Sequence, residues 1–285
     1  SAAMARACRL LGLVAHCCSV PLASSVSLRR VGDGPFPHFT PAPEKPAGKY
    51  KIPLQFVATV KSRFNLHHGI KRNLLHWQTV NPWFDLLLFN DTEAEDFIHQ
   101  NLAPESLRAY RKISIGAIKA DFFRLAFISV KGGVYMDLDA EFVDGRPLPI
   151  EPDHDYVAEI EGGCSCLPQW VIIAAPSHPF VTSALARATD NILSGHEDPA
   201  KEGHKAGWAG PAVLDIASRG AAGVERWPTH PQTYDVAGTG RTYTLLKDMV
   251  VRHVNNKKTA QVKSGMTDWH YDEADLRRAK ASSIP

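Results

Sequence analysis

Two aspartates two residues apart, Asp137 and Asp139 in the segment KGGVYMDLDAEF, are the side chains in this 285-residue sequence best suited to hard-cation chemistry. Carboxylates at i and i+2 of an extended segment point to one side, and at a strand end they present oxygen ligands to an ion such as Mg²⁺ or Mn²⁺. Such an ion keeps open positions for phosphate oxygens. The pair therefore suits a site where a metal bridges a nucleotide diphosphate and neutralises it as it leaves. By itself the D-x-D pattern is also met in solvated strand edges and turns, so its surroundings carry the weight. A calcium loop starting at Asp137 is excluded, because the position that needs glycine is Phe142 and the one that needs a bidentate acid is Leu148.

The preceding stretch, ISIGAIKADFFRLAFISV, reads as a helix ending at Lys131, with Gly132-Gly133 supplying a left-handed stop. On it Asp121 and Arg124 sit three apart, on a face shared with Ile118, Leu125 and Ile128. Charges that interrupt an apolar face need partners, which leaves two readings: a mutual salt bridge, or two groups turned to a polar ligand such as sugar hydroxyls. After the glycines, VYMDLDAEF alternates as a strand, with Val134, Met136 and Leu138 on one face and Tyr135, Asp137 and Asp139 on the other.

The elements that must position these groups begin near Tyr50. KIPLQFVATV reads as a buried strand, IKRNLLHWQTVNP as an amphipathic helix closed by Asn81-Pro82, and WFDLLLFND as a second strand, the outline of a parallel α/β sheet. DTEAEDFIHQNL reads as a helix with Asp91 at its N-cap. HDYVAEI and QWVIIAA read as strands, HPFVTSALARATDNIL and GPAVLDIASRG as helices, and beyond Thr229 short segments are expected to fold over the domain. The catalytic domain thus spans 50–285, after a Pro-rich linker over 26–49. Residues 1–25 carry Arg6 and Arg9, an apolar run and the small residues Ala23, Ser24 and Ser25. That is the outline of a secretory leader or anchor, but His16 interrupts it, so an untargeted tail stands equally.

Lys and Arg total 32 against 30 Asp and Glu, so the net charge of +2 gives no reason to expect a nucleic-acid partner. No body segment is long and apolar enough for a membrane span, which leaves the leader as the sole route to membrane association. Three cysteines (Cys8, Cys17, Cys18) lie in the leader. Cys164 and Cys166 are expected to remain structural thiols, being too close in sequence to bridge without strain and lacking a second cluster with zinc-like spacing.

The run KADFFRLAFISVKGGVYMDLDAEF closely resembles the donor-site core of glycosyltransferase family 32 and the related sugar-transferring domains of large clostridial toxins, without a gap from Asp121 to Asp139. KIPLQF, NPWFDLLLFND, APSHPF and GWAGPAVL are similar more weakly, so that the resemblance covers most of Lys51 to Leu214. It implies a GT-A-like nucleotide-sugar-binding α/β domain with a mostly parallel central sheet. The implied activity is retaining transfer of a hexose, mannose favoured, from GDP-mannose or a UDP-hexose to a glycan or glycolipid acceptor, assisted by Mn²⁺ or Mg²⁺.

Residue by residue, the resemblance gives Asp137 and Asp139 the catalytic and metal-binding role, Asp121 and Arg124 contacts to the donor sugar, and Tyr135 a place against the nucleotide. Gly133 and Thr59 are further donor-binding candidates. Gly210, Pro211 and Trp269 are candidates for the acceptor side and the closing loop, and His253 for a metal ligand. The family's His and Trp near the donor base fall here on Val57 and Val60, which leaves the base open. The family's closing Ser-Trp pair is matched by Trp269-His270 at a wider spacing from His253. No dedicated nucleophile is evident, so retention implies attack from the face the diphosphate leaves. A leader of this kind favours the Golgi or secretory lumen, with or without an anchor; otherwise the protein is cytoplasmic. Two other classes compete: a Mg²⁺-dependent nucleotidyltransferase or phosphohydrolase, which gives no reason for the Asp121 and Arg124 face, and a non-catalytic carbohydrate-binding relative, against which five intact polar positions stand.

Overall fold

Short runs of β-branched and aromatic residues between turn signals specify the sheet, and helices arise where apolar positions recur on one face. The computed structural model describes residues 48–63, 66, 68–195, 208–248 and 250–253. The strands are β1 (Gln55–Thr59), β2 (Asp85–Phe89), β3 (Gly133–Met136), β4 (Ala140–Phe142), β5 (Tyr156–Ala158), β6 (Val171–Ala174), β7 (Thr233–Val236), β8 (Arg241–Leu245) and β9 (Val251–His253). The helices are α1 (His68–Val80), α2 (Asp91–Asn101), α3 (Pro104–Lys112), α4 (Gly116–Lys131), α5 (Pro179–Ser194) and α6 (Pro211–Ala222). The leader over 1–25 and nearly all of the linker over 26–49 lie outside the described residues. Among the described residues, no helix is long and apolar enough to cross a membrane.

Seven strands form one sheet in the order β2-β1-β3-β6-β5-β8-β7, and β4 pairs with β9 as a separate ribbon. The fold is α/β, as expected, but the sheet is mixed rather than mostly parallel. β1–β2, β1–β3 and β5–β8 run parallel, and β3–β6, β5–β6 and β7–β8 antiparallel. Parallel neighbours need a crossover, usually a helix, and residues 159–170 between β5 and β6 contain none, so those strands turn back on each other. The register sorts side chains between two cores. Val57, Tyr135 and Ile172 stand side by side and join the core with α2 to α6, whereas Phe56, Val134 and Ile173 join the core with α1.

Local chemistry sets the ends of the elements. The cap of α2 is Asn90, not Asp91: the Asn90 side chain accepts from the Glu93 N–H while Glu93 accepts from the Asn90 N–H, a reciprocal capping box. α4 stops at Gly132 with φ 66°, where a Cβ would stand 2.6 Å from Pro176 Cδ. Of the region past Thr229, expected to fold over the domain, residues 254–285 lie outside the described residues and residues 233–245 are built into the sheet. β7 and β8 form a hairpin at its edge, and Arg241 Nη1 meets the buried Asp155 carboxylate at 2.7 Å. Its strands are four and five residues long, too short to give a clear periodic signal. Cys164 and Cys166, expected to be separate thiols, are joined as a disulfide. The turn between the bridged residues Glu161 and Cys166 carries Ser165 at φ 53°, and this brings the two cysteine Cα atoms to 5.2 Å.

His178 caps α5 from a fully buried position, its Nδ1 accepting from Phe180 N–H at 3.3 Å and its Nε2 donating to the Thr242 carbonyl at 3.1 Å. Burial pushes the imidazole from its ordinary 6.5 down to about 4, more than the Thr242 carbonyl and Asp155 pull it up. Below pH 6.5 the unfolded chain takes up a proton that the folded chain refuses, so stability declines between pH 6.5 and pH 4. His178 should by itself lower the free energy of urea unfolding by on the order of 3 kcal/mol across that window, read as the difference from a variant that lacks the titration. The His178→Asn variant keeps a cap acceptor without the titration and should flatten the decline; an unaltered slope would remove His178 as its cause.

Candidate active site

β3 ends at Met136, and Asp137 to Asp139 form a turn closed by the Ala140 N–H donating to the Asp137 carbonyl at 2.8 Å. The expected unbroken strand through Phe142 is thus two strands with a turn between them. Asp137 N–H still bonds Trp170 O at 2.9 Å along the edge of β6, but from Ala140 the chain pairs with β9 in the other sheet. A turn, and not strand alternation, therefore presents the two carboxylates. α1 holds its backbone: Asn73 Nδ2 donates to Leu138 O and Ala140 O, each at 2.8 Å, and Trp77 Nε1 donates to Ala140 O at 2.9 Å.

The side chains are held from the opposite face of the sheet. Arg124 on α4, 5% exposed, places Nη2 at 3.0 Å from Asp121 Oδ1 and 2.9 Å from Asp137 Oδ1. Its Nη1 donates to Gln169 O at 2.8 Å, and its guanidinium lies over the Tyr135 ring at 4.5 Å. Tyr135 donates its hydroxyl to Asp137 Oδ1 at 3.2 Å and is hydrogen-bonded in turn by the Thr59 side chain. The Asp121 and Arg124 charges thus form the salt bridge of the first reading and extend it to Asp137, a link that spacing on α4 alone could not reveal.

Burial works against the Arg124 charge, but Asp137, then Tyr135 and Asp121, outweigh it and keep the guanidinium protonated. Burial raises Asp121 to about 7 against the pull of Arg124, with Asp137 adding to the rise. Burial also lifts the Tyr135 phenol above its ordinary range, so it stays a hydrogen-bond donor. Arg124 pairs with Asp121 and Asp137, and Asp139 adds a third carboxylate on the same turn as Asp137, negative charge that a divalent ion would offset. Two carboxylates with remaining positions for phosphate oxygens are a donor set that Mg²⁺ or Mn²⁺ accepts. Among the described residues, the one cluster of three side chains with metal-ligand chemistry is Glu161, Cys164 and Cys166, and its two sulfurs are committed to the disulfide.

The structure gathers Asp121, Arg124, Tyr135, Asp137, Asp139 and Thr59 at one edge of the sheet. Tyr135 is buried and touches Arg124 and Asp137. Gly133 lies at the other end of β3, where φ 106° and a Cβ position 2.7 Å from Gln55 Cγ explain the glycine by packing, not by donor contact. Val57 and Val60 are core residues. Gly210 and Pro211 are the N-cap and first residue of α6, connected to the site by Gln169, whose Nε2 donates to Ala209 O. The His253 backbone pairs opposite Ala140, next in sequence to Asp139; the His253 side chain and Trp269 lie outside the described residues. Sequence reasoning missed Asn73, Trp77, Gln169 and Trp170. Asn73 had one faint signal, a polar residue on an apolar helix face one turn before Trp77.

Arg124→Met leaves Asp121 and Asp137 without their shared cation, and the expected loss is about 3 kcal/mol in urea unfolding at pH 8. At pH 5.5, where Asp121 is protonated, the loss should be smaller; an equal loss at both values would refute the shared pairing.

Comparison with known proteins agrees with this geometry. Residues 67–154 match the family described as the glycosyltransferase sugar-binding region containing a DXD motif. The chain is 26% identical over 165 residues to an initiation-specific alpha-1,6-mannosyltransferase of Schizosaccharomyces pombe, covering 48% of this chain and 41% of that protein. It is 26% identical over 144 residues to the protein of the same description in Candida albicans, covering 42% and 37%. An uncharacterized glycosyltransferase of Acanthamoeba polyphaga mimivirus is 37% identical over 60 residues, 21% of this chain and 24% of that protein. The chain thus spans about two fifths of the two mannosyltransferases. The solved structure of the PaToxG glycosyltransferase aligns with a TM-score of 0.45 at 17% identity, over 59% of this chain and 68% of that one. Asn73, Asp121, Arg124, Tyr135 and the Asp137–Asp139 turn all lie inside residues 67–154, the stretch that matches the glycosyltransferase sugar-binding region containing a DXD motif.

Proposed function

We propose that the protein is a retaining hexosyltransferase that moves mannose from GDP-mannose, or a hexose from a UDP-sugar, to a glycan or glycolipid acceptor. The observation that carries the reading is the presentation of Asp137 and Asp139 on one turn, fixed from behind by Arg124 and Tyr135 and from below by Asn73 and Trp77. The likeness to the two fungal alpha-1,6-mannosyltransferases supports mannose. A divalent ion, Mn²⁺ or Mg²⁺, held by Asp137 and Asp139 would supply charge stabilisation to the departing diphosphate. The position of the His253 backbone beside the turn supports His253 as a further ligand.

The roles of the chain's own residues follow from their partners. Arg124 is committed to Asp121, Asp137 and Gln169, so it orients the turn. Asp121, with its side chain 16% exposed, can accept from a donor-sugar hydroxyl when ionised and donate to one when protonated. Attack from the leaving-group side, with a diphosphate oxygen taking the acceptor proton, needs no carboxylate nucleophile. The Cys164–Cys166 disulfide suits an oxidising compartment and supports a secretory-lumen setting.

The decisive assay incubates purified protein with GDP-mannose and UDP-hexoses, with and without Mn²⁺, and follows sugar release. One donor should be hydrolysed in a Mn²⁺-dependent way, and Asp139→Asn should lower the rate about 100-fold or more. Full activity in Asp139→Asn would remove the metal role, and release of sugar 1-phosphate with the nucleoside monophosphate in place of free sugar would favour a phosphohydrolase.

A further inference from the structure

The edge of the sheet that carries the Asp137–Asp139 turn also opens into a cavity of about 830 Å³ at the C-terminal ends of β5 and β8. Along the sheet β3 is followed by β6 and then β5, so the cavity lies two strand steps from the turn, roughly 10 Å at the usual strand spacing. The two places share one wall. Glu159, Ile160, Cys164 and Ser165 line the cavity, and a few residues further on Gln169 and Trp170 accept from Arg124 and Asp137 through their carbonyls.

The charges in the cavity are not balanced. Asp215 on α6 is buried and committed: its Oδ1 accepts from Trp227 Nε1 at 2.7 Å and from Leu167 N–H at 3.0 Å, and its Oδ2 lies 2.7 Å from Arg219 Nη2. The Nε of Arg219 is itself buried without a hydrogen-bond partner. With Arg219 and Asp215 cancelling, Arg226 and Lys247 stand against Glu159 alone. Both cations are exposed at the rim, and neither makes an ion pair among the described residues. Pro228 and Pro231 supply flat apolar surface beside them. A neutral sugar would use the apolar surface but leave the cations unanswered; a sugar that carries a phosphate or carboxylate would use both.

We propose that this cavity is the acceptor subsite and that it takes an anionic sugar unit of the acceptor, placed about one further sugar from the hydroxyl that reacts. The inference rests on the glycosyltransferase reading above. Its volume is within the range of pockets that enclose a small ligand and exceeds the need of a single hexose. Lys247 and Arg226 approach from different segments, after β8 and before β7, so together they can grip one anionic group from two sides.

Calorimetric titration tests this with protein saturated by Mn²⁺ and whichever of GDP or UDP raises its melting temperature, so that the donor site is blocked. Mannose 6-phosphate and glucuronate serve as anionic probes and methyl α-mannoside as the neutral one. At least one anionic probe should bind about tenfold or more tightly than the neutral one. In the Arg226→Ala/Lys247→Ala double variant that preference should vanish while the melting temperature stays at the wild-type value. No preference in the wild type, or a preference that survives the double variant, overturns the assignment. Failure of the wild type to bind or hydrolyse any nucleotide sugar would instead strike the glycosyltransferase reading, and is read in a separate experiment.

Discussion

A buried guanidinium cannot be left half-satisfied, and the arrangement of this site follows from how Arg124 is satisfied. Its partners come from three places in the chain: Asp121 on its own helix, Asp137 just past β3, and the Gln169 carbonyl in the loop before β6. Each partner belongs to a different element, so the cation fixes a helix, a strand end and a loop at one point. A lysine could carry the charge, but it could not offer the planar fork that reaches two carboxylate oxygens and a carbonyl while stacking on Tyr135.

The turn that carries Asp137 and Asp139 is consequently held by different chemistry on its two sides. From the layer of α4 it receives charge and a phenol hydroxyl at Asp137 Oδ1; from the layer of α1 it receives neutral donors at its backbone carbonyls. Neutral donors fix the path of the chain without altering the charge of the carboxylates, so the excess negative charge that favours a divalent ion survives the clamping. The same logic reaches the neighbouring cavity through Gln169 and Trp170, whose loop continues into the cavity wall.

How much of this could be read from sequence depended on whether the cause was local. The helix of α4, its stop at Gly132 and the turn into β3 are local, and periodicity with two glycines marked them. The aspartate pair was recognisable by residue type, but its backbone was misread as strand. Exit from the sheet is decided by β6 and β9, which lie about 30 and 110 residues downstream. Asn73 and Trp77 act on carbonyls more than 60 residues away and leave almost no local trace. The Cys164–Cys166 bridge needed a positive φ at Ser165, which a serine does not advertise. Gly133 was read as part of the helix stop, and the close approach of Gln55 that also requires a glycine there comes from a strand about 80 residues upstream.

The claim on which the account turns is that Arg124 positions Asp137 for a metal and not merely for folding. Electron paramagnetic resonance of Mn²⁺ titrated into the protein with a bound nucleoside diphosphate measures this in the Arg124→Lys variant, which keeps the charge but not the fork. Mn²⁺ affinity should be lower by about tenfold or more, with the fold intact by circular dichroism. Wild-type Mn²⁺ affinity in that variant would contradict it.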